Sequence, residues 1–263
     1  MQDSETVRFT LLDGGTAIDD EALYRLYAHP GAPPGAHEDS GAAVVRGNAI
    51  ASLDGGATTG GTSGGLGGPG DRRLFAVLRE VADVIVVGAG TARVENYGGA
   101  RMTVAQRSGR QARGQSEVPP IALVTRSGEI AGDLAVLTDS EVTPLVLTCT
   151  AVAAGVRMRL GSAAEVIDCS GADPGEVDLG VLVARLAQRG LPRVLTEGGP
   201  SLLGAFLGCG LIDEFCLTTA PLMVGGTAVR IAAAATDVLT PMRCAHVLTD
   251  PGGYLYTRYV RIR

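Results

Sequence analysis

The 263-residue chain contains no lysine, so all 22 of its basic residues are arginine. That absence excludes a Walker-A phosphate loop, a Schiff-base lysine and a pyridoxal-type enzyme. Any phosphate is left to arginine, hydroxyls, backbone N–H groups or helix termini. No apolar run approaches the roughly 20 residues that span a bilayer. The N-terminus has neither a basic start nor an apolar signal core, which makes the cytoplasm the expected compartment. With a net charge of −6, no basic face offers itself to nucleic acid or to an anionic membrane. The five cysteines, Cys149, Cys169, Cys209, Cys216 and Cys244, show no CxxC spacing and are odd in number. A disulfide framework or zinc ribbon is therefore not expected, and they read as small buried hydrophobes. His29, His37 and His246 are too scattered for a metal cluster. Only His246 sits in a strand-like stretch, where it reads as a core or surface residue.

What is present is an alternation of strands and helices. The first 43 residues form an N-terminal extension, with Leu23, Leu26 and Tyr27 marking a short helix before the Pro/Gly-rich connector HPGAPPGAHEDSGA. From residue 44 a single domain runs to residue 263. AVVRGNAIA reads as a buried strand. DRRLFAVLREVAD follows as an amphipathic helix with Leu74, Val77, Leu78 and Val81 on one face and Asp71 at the N-cap position. VIVVGAG, IALVTRSG, LAVLTDS, PLVLTC and EVIDCSG continue as apolar strand-like runs. VDLGVLVARLAQRG is a helix stopped by Gly190, RVLTEGG a strand, and PSLLGAFLGCG a helix with Pro200 in its first turn. EFCLTTAPLMVGG and RCAHVLTDPGGYLYTRYVRI read as antiparallel strands, the second a hairpin about Asp250-Pro251-Gly252-Gly253. The fold class is α/β: a mostly parallel sheet flanked by helices, with an antiparallel edge.

Ligands of such sheets bind beyond the carboxyl ends of the strands, which directs attention to three junctions. Gly88-Ala89-Gly90-Thr91 and Glu197-Gly198-Gly199-Pro200-Ser201 each combine a glycine turn with a helix N-terminus. They fit either a pyrophosphate held between two helix ends or tight helix-packing turns. Thr125-Arg126-Ser127-Gly128 offers a guanidinium and two hydroxyls suited to a ribose 2′-phosphate, or an exposed turn. The glycine-rich stretch ASLDGGATTGGTSGGLGGPGD is either a spacer or a loop that lets a ligand approach its backbone. Its Gly61-Thr62-Ser63-Gly64-Gly65 matches G-x-S-x-G, yet lacks the strand-to-helix flanks of a hydrolase elbow. Asp54 and Glu197 are lone acids at strand ends. Each is a candidate acid/base or heterocycle acceptor, and for Asp54 in Leu-Asp-Gly a turn-forming role competes.

NAIASLDGGAT, DRRLFAVLREVADVIVVGAGTARVE and VLTEGGPSLLGAFLGCGLIDEFCLTTAPLMVGG resemble the pyrimidine reductase domain of riboflavin biosynthesis, over residues 44–263. RGQSEVP and MRCAHVLTD are closest to its stand-alone actinobacterial form. The resemblance implies a dihydrofolate-reductase-like fold. It implies NADPH-dependent reduction of 5-amino-6-(5-phosphoribosylamino)uracil, by hydride transfer to ribose C1′, in a homodimer without metal. The C-terminal EFCLTTAPL, apolar on both faces, is a candidate dimer surface. Carried over residue by residue, the pyrophosphate falls at Gly198, Gly199, Pro200, Ser201, Leu202 and Leu203. Gly88, Gly90, Thr91, Glu95 and Gly65 line the cofactor, Thr125, Arg126 and Ser127 mark the 2′-phosphate, and Ile50 and Ala51 meet the nicotinamide amide. Ser63, Arg79, Arg101 and Glu197 are nominated for substrate, with Asp54 and Glu197 as catalytic acids. Arg79 also stands one turn from Asp83, where an intrahelical ion pair competes with a substrate role.

Two departures from the family pattern stand out. Gly56 occupies the position after Ser-Leu-Asp-Gly where the family carries Lys or Arg, and Glu95-Asn96-Tyr97 replaces Asp-Asp-Pro. A reductase of another heterocycle such as dihydrofolate, or a non-catalytic NADPH-binding protein, are the alternatives these departures leave open. The deaminase zinc signature of the bifunctional enzymes is missing.

Overall fold

Eleven strands pair into one sheet in the computed structural model, which describes residues 7–29 and 43–262. The connector from Pro30 to Ala42, with His37, lies outside the described residues. The strands are β1 (Phe9–Leu11), β2 (Thr16–Ile18), β3 (Val44–Ser52), β4 (Val84–Gly88), β5 (Ile121–Val124), β6 (Leu145–Thr148), β7 (Glu165–Asp168), β8 (Arg193–Gly198), β9 (Glu214–Ala220), β10 (Met242–Thr249) and β11 (Leu255–Arg261). Their spatial order is β2-β1-β10-β11-β9-β3-β8-β4-β5-β6-β7. From β9 to β7 every pairing is parallel, and from β9 back to β2 every pairing is antiparallel. β9 is thus parallel to β3 and antiparallel to β11, a mixed junction where the sequence reads only antiparallel pairing.

The interior strands are apolar on both faces because helices cover both. Ile85, Val87, Ile121, Leu123 and Val146 face α2 (Pro69–Val81) and α6 (Thr150–Leu160). Val84, Val86, Leu145, Leu147 and Val194 face α7 (Leu179–Gln188) and α8 (Pro200–Gly208). The alternation within VIVV divides one strand between two cores, as the period of two demands.

Several local expectations need correction. Asp71 is not the N-cap of α2; Gly68 is, with Pro69 at the first helical position, and Asp71 is the third residue of the first turn. The run LAVLTDS contains a single helical turn, α5 (Ala135–Thr138), because β5 pairs directly with β6 and leaves no ladder for it. A short apolar run does not by itself distinguish helix from strand. The Arg79–Asp83 pair does not form: α2 ends at Val81, and Asp83 instead accepts from the Arg193 side chain at 2.8 Å. The sequence patterns also miss β1, β2 and α4 (Val104–Ala112), although Thr103 and Gln106 make a reciprocal capping box there.

Residues 7–29 are built into the same sheet. β1 pairs with β10, and Phe9 lies edge-on against Tyr256 at 5.1 Å. The C-terminal carbonyls of α1 (Asp20–Tyr27) are taken up by two arginines of the sheet. Arg46 donates to Tyr27 O at 2.6 Å and Ala28 O at 3.3 Å, and Arg258 to Leu26 O at 3.1 Å. Both guanidiniums also donate to buried Glu214, that of Arg46 through Nε at 2.7 Å. His246 packs edge-on against Tyr27 at 4.9 Å, and burial lowers its pKa to about 4, so it is neutral. Removing one member of a buried charge cluster leaves the others uncompensated. Glu214→Gln is expected to lower unfolding stability by about 3–5 kcal/mol, read as a lower urea midpoint at unchanged slope. A midpoint within experimental error of the parent would show that Glu214 does not compensate the two arginines.

Candidate functional site

A cavity of about 790 Å³ opens at the carboxyl ends of β3, β4 and β8. Its size is in the range of cofactor and substrate pockets. Because β4 and β8 are parallel neighbours, their two glycine turns emerge side by side. Gly198 and Gly199 adopt φ of +77° and +68°, conformations open to glycine at little cost. At Gly199 any Cβ would collide with the Thr91 hydroxyl, so the two turns are in direct contact. Past Gly199 the chain enters α8 with Pro200 at its first position. The Ser201 and Leu202 N–H groups belong to the first turn, which has no intrahelical acceptors, and they carry the positive end of the helix dipole. An anionic diphosphate fits this place.

Farther along the cavity stands a buried ion pair. Arg79 donates to Glu197 from Nε and Nη2, both at 2.7 Å, and the Tyr97 hydroxyl donates to Glu197 Oε2 at 2.8 Å. The guanidinium lies between two rings, 4.2 Å from the Phe75 centroid and 5.4 Å from that of Tyr97. Burial opposes the charge on Arg79, but the Glu197 carboxylate outweighs it and holds the arginine pKa above its usual value. Tyr97 is pushed well above its usual range by burial and by the same carboxylate, so it stays a neutral donor. Glu197 is therefore a clamp whose oxygens are already engaged. It orients Arg79, whose Nη1 takes no part in the pair. The glycine-rich loop is tied to the opposite wall by the Ser63 N–H, which donates to Glu95 at 2.7 Å.

Ile50, Ser63, Gly90, Thr91, Glu95, Glu197, Gly198, Gly199, Pro200 and Leu203 all line this one cavity. Arg79 reaches it through Glu197. Ala51, Gly65, Ser201 and Leu202 are adjacent in sequence to lining residues without lining it themselves, and Gly88 lies two residues before the lining Gly90. Thr125, Arg126 and Ser127 sit past the end of β5, outside the lining, with Arg126 exposed and paired to Glu176 at 2.8 Å. Arg101 is outside as well, an exposed arginine paired to Asp139. Asp54 lies outside the lining too. Its carboxylate accepts from the Ser52 hydroxyl at 2.5 Å and from the N–H groups of Val224 at 3.1 Å and Gly225 at 2.7 Å. These bonds draw its pKa down to about 2 and engage both oxygens, two of the three bonds coming from a segment 170 residues later.

Two contributors were hidden from sequence reasoning. Asp71 lines the cavity, and burial raises the pKa of its carboxyl. Its place at the head of DRRLFAVLREVAD disguised it as a cap, whereas it is the third residue of α2. Tyr97 was noted only as a departure from Asp-Asp-Pro, although it supplies both the hydroxyl on Glu197 and one ring against Arg79.

Comparison with known proteins places this geometry. Residues 43–256 match the RibD C-terminal domain. The chain is 32% identical over 184 residues to 2,5-diamino-6-ribosylamino-4(3H)-pyrimidinone 5′-phosphate reductase of Methanothermobacter thermautotrophicus, covering 70% of this chain and 80% of that protein. Among solved structures it superposes on a pyrimidine reductase-like protein from Corynebacterium diphtheriae with a TM-score of 0.72 at 30% identity, over 84% of this chain and 92% of the other. The riboflavin biosynthesis reductase of Saccharomyces cerevisiae shares the fold at 15% identity, with a TM-score of 0.63 over 87% of this chain and 94% of that one. The parallel sheet, the paired glycine turns and the matched residues agree: the chain belongs to the RibD C-terminal domain family.

Proposed function

We propose that the protein is an NADPH-dependent reductase of riboflavin biosynthesis, acting on 5-amino-6-(5-phosphoribosylamino)uracil. The observation that carries this reading is one continuous cavity with an anion-binding helix end beside an aromatic-flanked arginine. The relative from Methanothermobacter is named for the 2,5-diamino pyrimidinone, which differs from the uracil in bearing an amine rather than an oxygen at C2. Gly198, Gly199, Ser201 and Leu202 would hold the cofactor diphosphate, and Ile50 and Ala51 would present backbone to the nicotinamide. When bound, the nicotinamide supplies a hydride. The open-chain ribose imine gains that hydride at C1′ and a proton at nitrogen, becoming a secondary amine. Arg79, fixed by Glu197 and Tyr97, orients the substrate, with Ser63 above it on the glycine-rich loop. Asp71 provides the proton, since its buried carboxyl retains one to higher pH than a surface aspartate does.

The second copy of a homodimer fits the face of β9 and β11 that carries Phe215, Leu217, Thr257 and Tyr259 in register, half-buried in the single chain. Sedimentation velocity gives the mass that decides it.

Steady-state NADPH oxidation tests the substrate. Turnover of the aminouracil phosphate, with dihydrofolate inert, is the expected result, and the reverse preference would overturn the reading. Asp71→Asn should abolish the limb of the kcat–pH profile that reports loss of the catalytic proton as pH rises. An unchanged profile would remove Asp71 from proton transfer. Two further variants should separate the ends of the cavity. Glu197→Gln is expected to cut turnover while leaving NADPH affinity within about twofold, because it disturbs Arg79 and Tyr97 and not the glycine turn and helix end proposed for the diphosphate. Arg126→Ala should weaken NADPH binding far more than NADH binding, by about tenfold or more for the loss of a charged hydrogen bond. Equal loss for both cofactors would take the 2′-phosphate away from Arg126.

A further inference from the structure

Between β9 and β10 the chain runs through residues 221–241 without a helix or strand. The first half of this segment is strapped along the glycine-rich loop. Leu53 N–H donates to Leu222 O and Ala57 N–H to Val229 O, each at 2.8 Å. Between these two bonds the Asp54 carboxylate takes the Val224 and Gly225 N–H groups, and the Ser52 hydroxyl braces it from behind. Beyond them Val229 and Ile231 line the cavity, opposite the wall formed by Thr91 and Glu95. Ala233 N–H then donates to Pro200 O at 2.9 Å, which ties the strap to the start of α8.

Gly56 lies beneath this strap. A Cβ built there would stand 3.0 Å from Ala228 Cβ, 3.2 Å from Ser52 Oγ and 3.5 Å from Val224 Cβ. The φ of Gly56 is not in the left-handed region, so the constraint is space rather than backbone conformation. The missing side chain and the strap are complementary: one leaves the room that the other fills.

We propose that Asp54 is a positioning residue that clasps residues 221–231 over the cavity, with Gly56 as the seat, so that the strap sets substrate specificity at this wall. The hydrogen bonds of the Asp54 side chain go to Ser52, Val224 and Gly225, none of them lining residues, so it acts through the two N–H groups it holds. Through Val229 and Ile231 the strap gives the cavity an aliphatic wall. The kinetic part of this inference rests on the reductase reading above, whereas the closure of the strap does not.

The strap offers its own probe. With no lysine in the chain, Arg230 is the only tryptic site between Ala220 and Pro241, and it is exposed. Limited trypsinolysis of the full-length protein, followed by mass spectrometry, reads cleavage after Arg230. Asp54→Ala should speed that cleavage by about tenfold or more, since opening of a local segment follows the loss of its hydrogen bonds. It should also raise substrate KM more than it lowers kcat. Asp54→Asn should fall between Ala and the parent, because the amide keeps one acceptor and turns a donor toward Gly225. Gly56→Arg should likewise speed cleavage by unseating Ala228. Unaltered cleavage in both Asp54→Ala and Gly56→Arg would overturn the clasp whatever the substrate proves to be. Equal loss of kcat in Asp54→Asn and Asp54→Ala, with cleavage unchanged, would make Asp54 a chemical participant instead. Faster cleavage with no turnover of either pyrimidine phosphate by the parent protein would keep the clasp and reject the substrate.

Discussion

Val84 to Val87 of β4 run parallel to Val194 to Gly198 of β8, and the site depends on that pairing. Parallel neighbours must end at the same edge, so the two chains leave the sheet together and their turns meet. Thr91 against Gly199 is the contact this creates, and it fits only because residue 199 has no side chain. The register shifts between Val86 and Val87, where the β8 strand approaches its glycines. A slip of one residue would reverse which side chains face the α2 core and which face the α8 core. The apolar alternation of β4 therefore secures the geometry of the polar cavity.

Arginine does structural work here that a lysine could not reproduce. A guanidinium presents five donors in a planar fork, enough to serve several carbonyls at once. Arg110 closes the C-terminal end of α2 by donating to Glu80 O at 2.7 Å, Ala82 O at 2.6 Å and Ser116 O at 2.7 Å. Tyr24 from α1 and Arg113 both bond the Glu80 side chain of the same helix. α2 carries Asp71 and Phe75 along the cavity and Arg79 behind Glu197, so its firm C-terminal anchorage reaches the site as fixed side-chain positions. Arg79 itself is held in the plane between two rings, an arrangement that favours a flat, delocalised cation.

Periodicity and glycine turns made the parallel half of the sheet legible, since their rules are local. The hairpin about Asp250 was legible for the same reason: Gly253 adopts φ of +80°, and Asp250 accepts from Tyr254 N–H and the Tyr256 hydroxyl. Long-range pairings were not. Arg79 has Asp83 four residues away in sequence, yet its partner is Glu197, 118 residues distant. Asp54 sits at a strand end like Glu197, but its acceptors are spent on a segment 170 residues later. LAVLTDS failed because a strand needs a neighbour, and the vacancy beside β5 was already taken by β6. Of the residues that resemblance to the reductases nominates, Ile50, Ser63, Thr91, Glu95 and Glu197 line the cavity, whereas Asp54, Arg101 and Arg126 do not.

The docking of α1 on Arg46 and Arg258 bears on what counts as a unit of this protein. The family match begins at residue 43, which invites a cut between extension and domain. The charges do not respect that cut. Severing the chain there would strip fully buried Arg46 of two carbonyl acceptors and Arg258 of one, while exposing the Phe9 contact on Tyr256 and a bare β10 edge. An open strand edge is a template for pairing with other chains. The span of sequence similarity and the span of these contacts thus have different boundaries, and an expression boundary drawn at residue 43 would cut through the second.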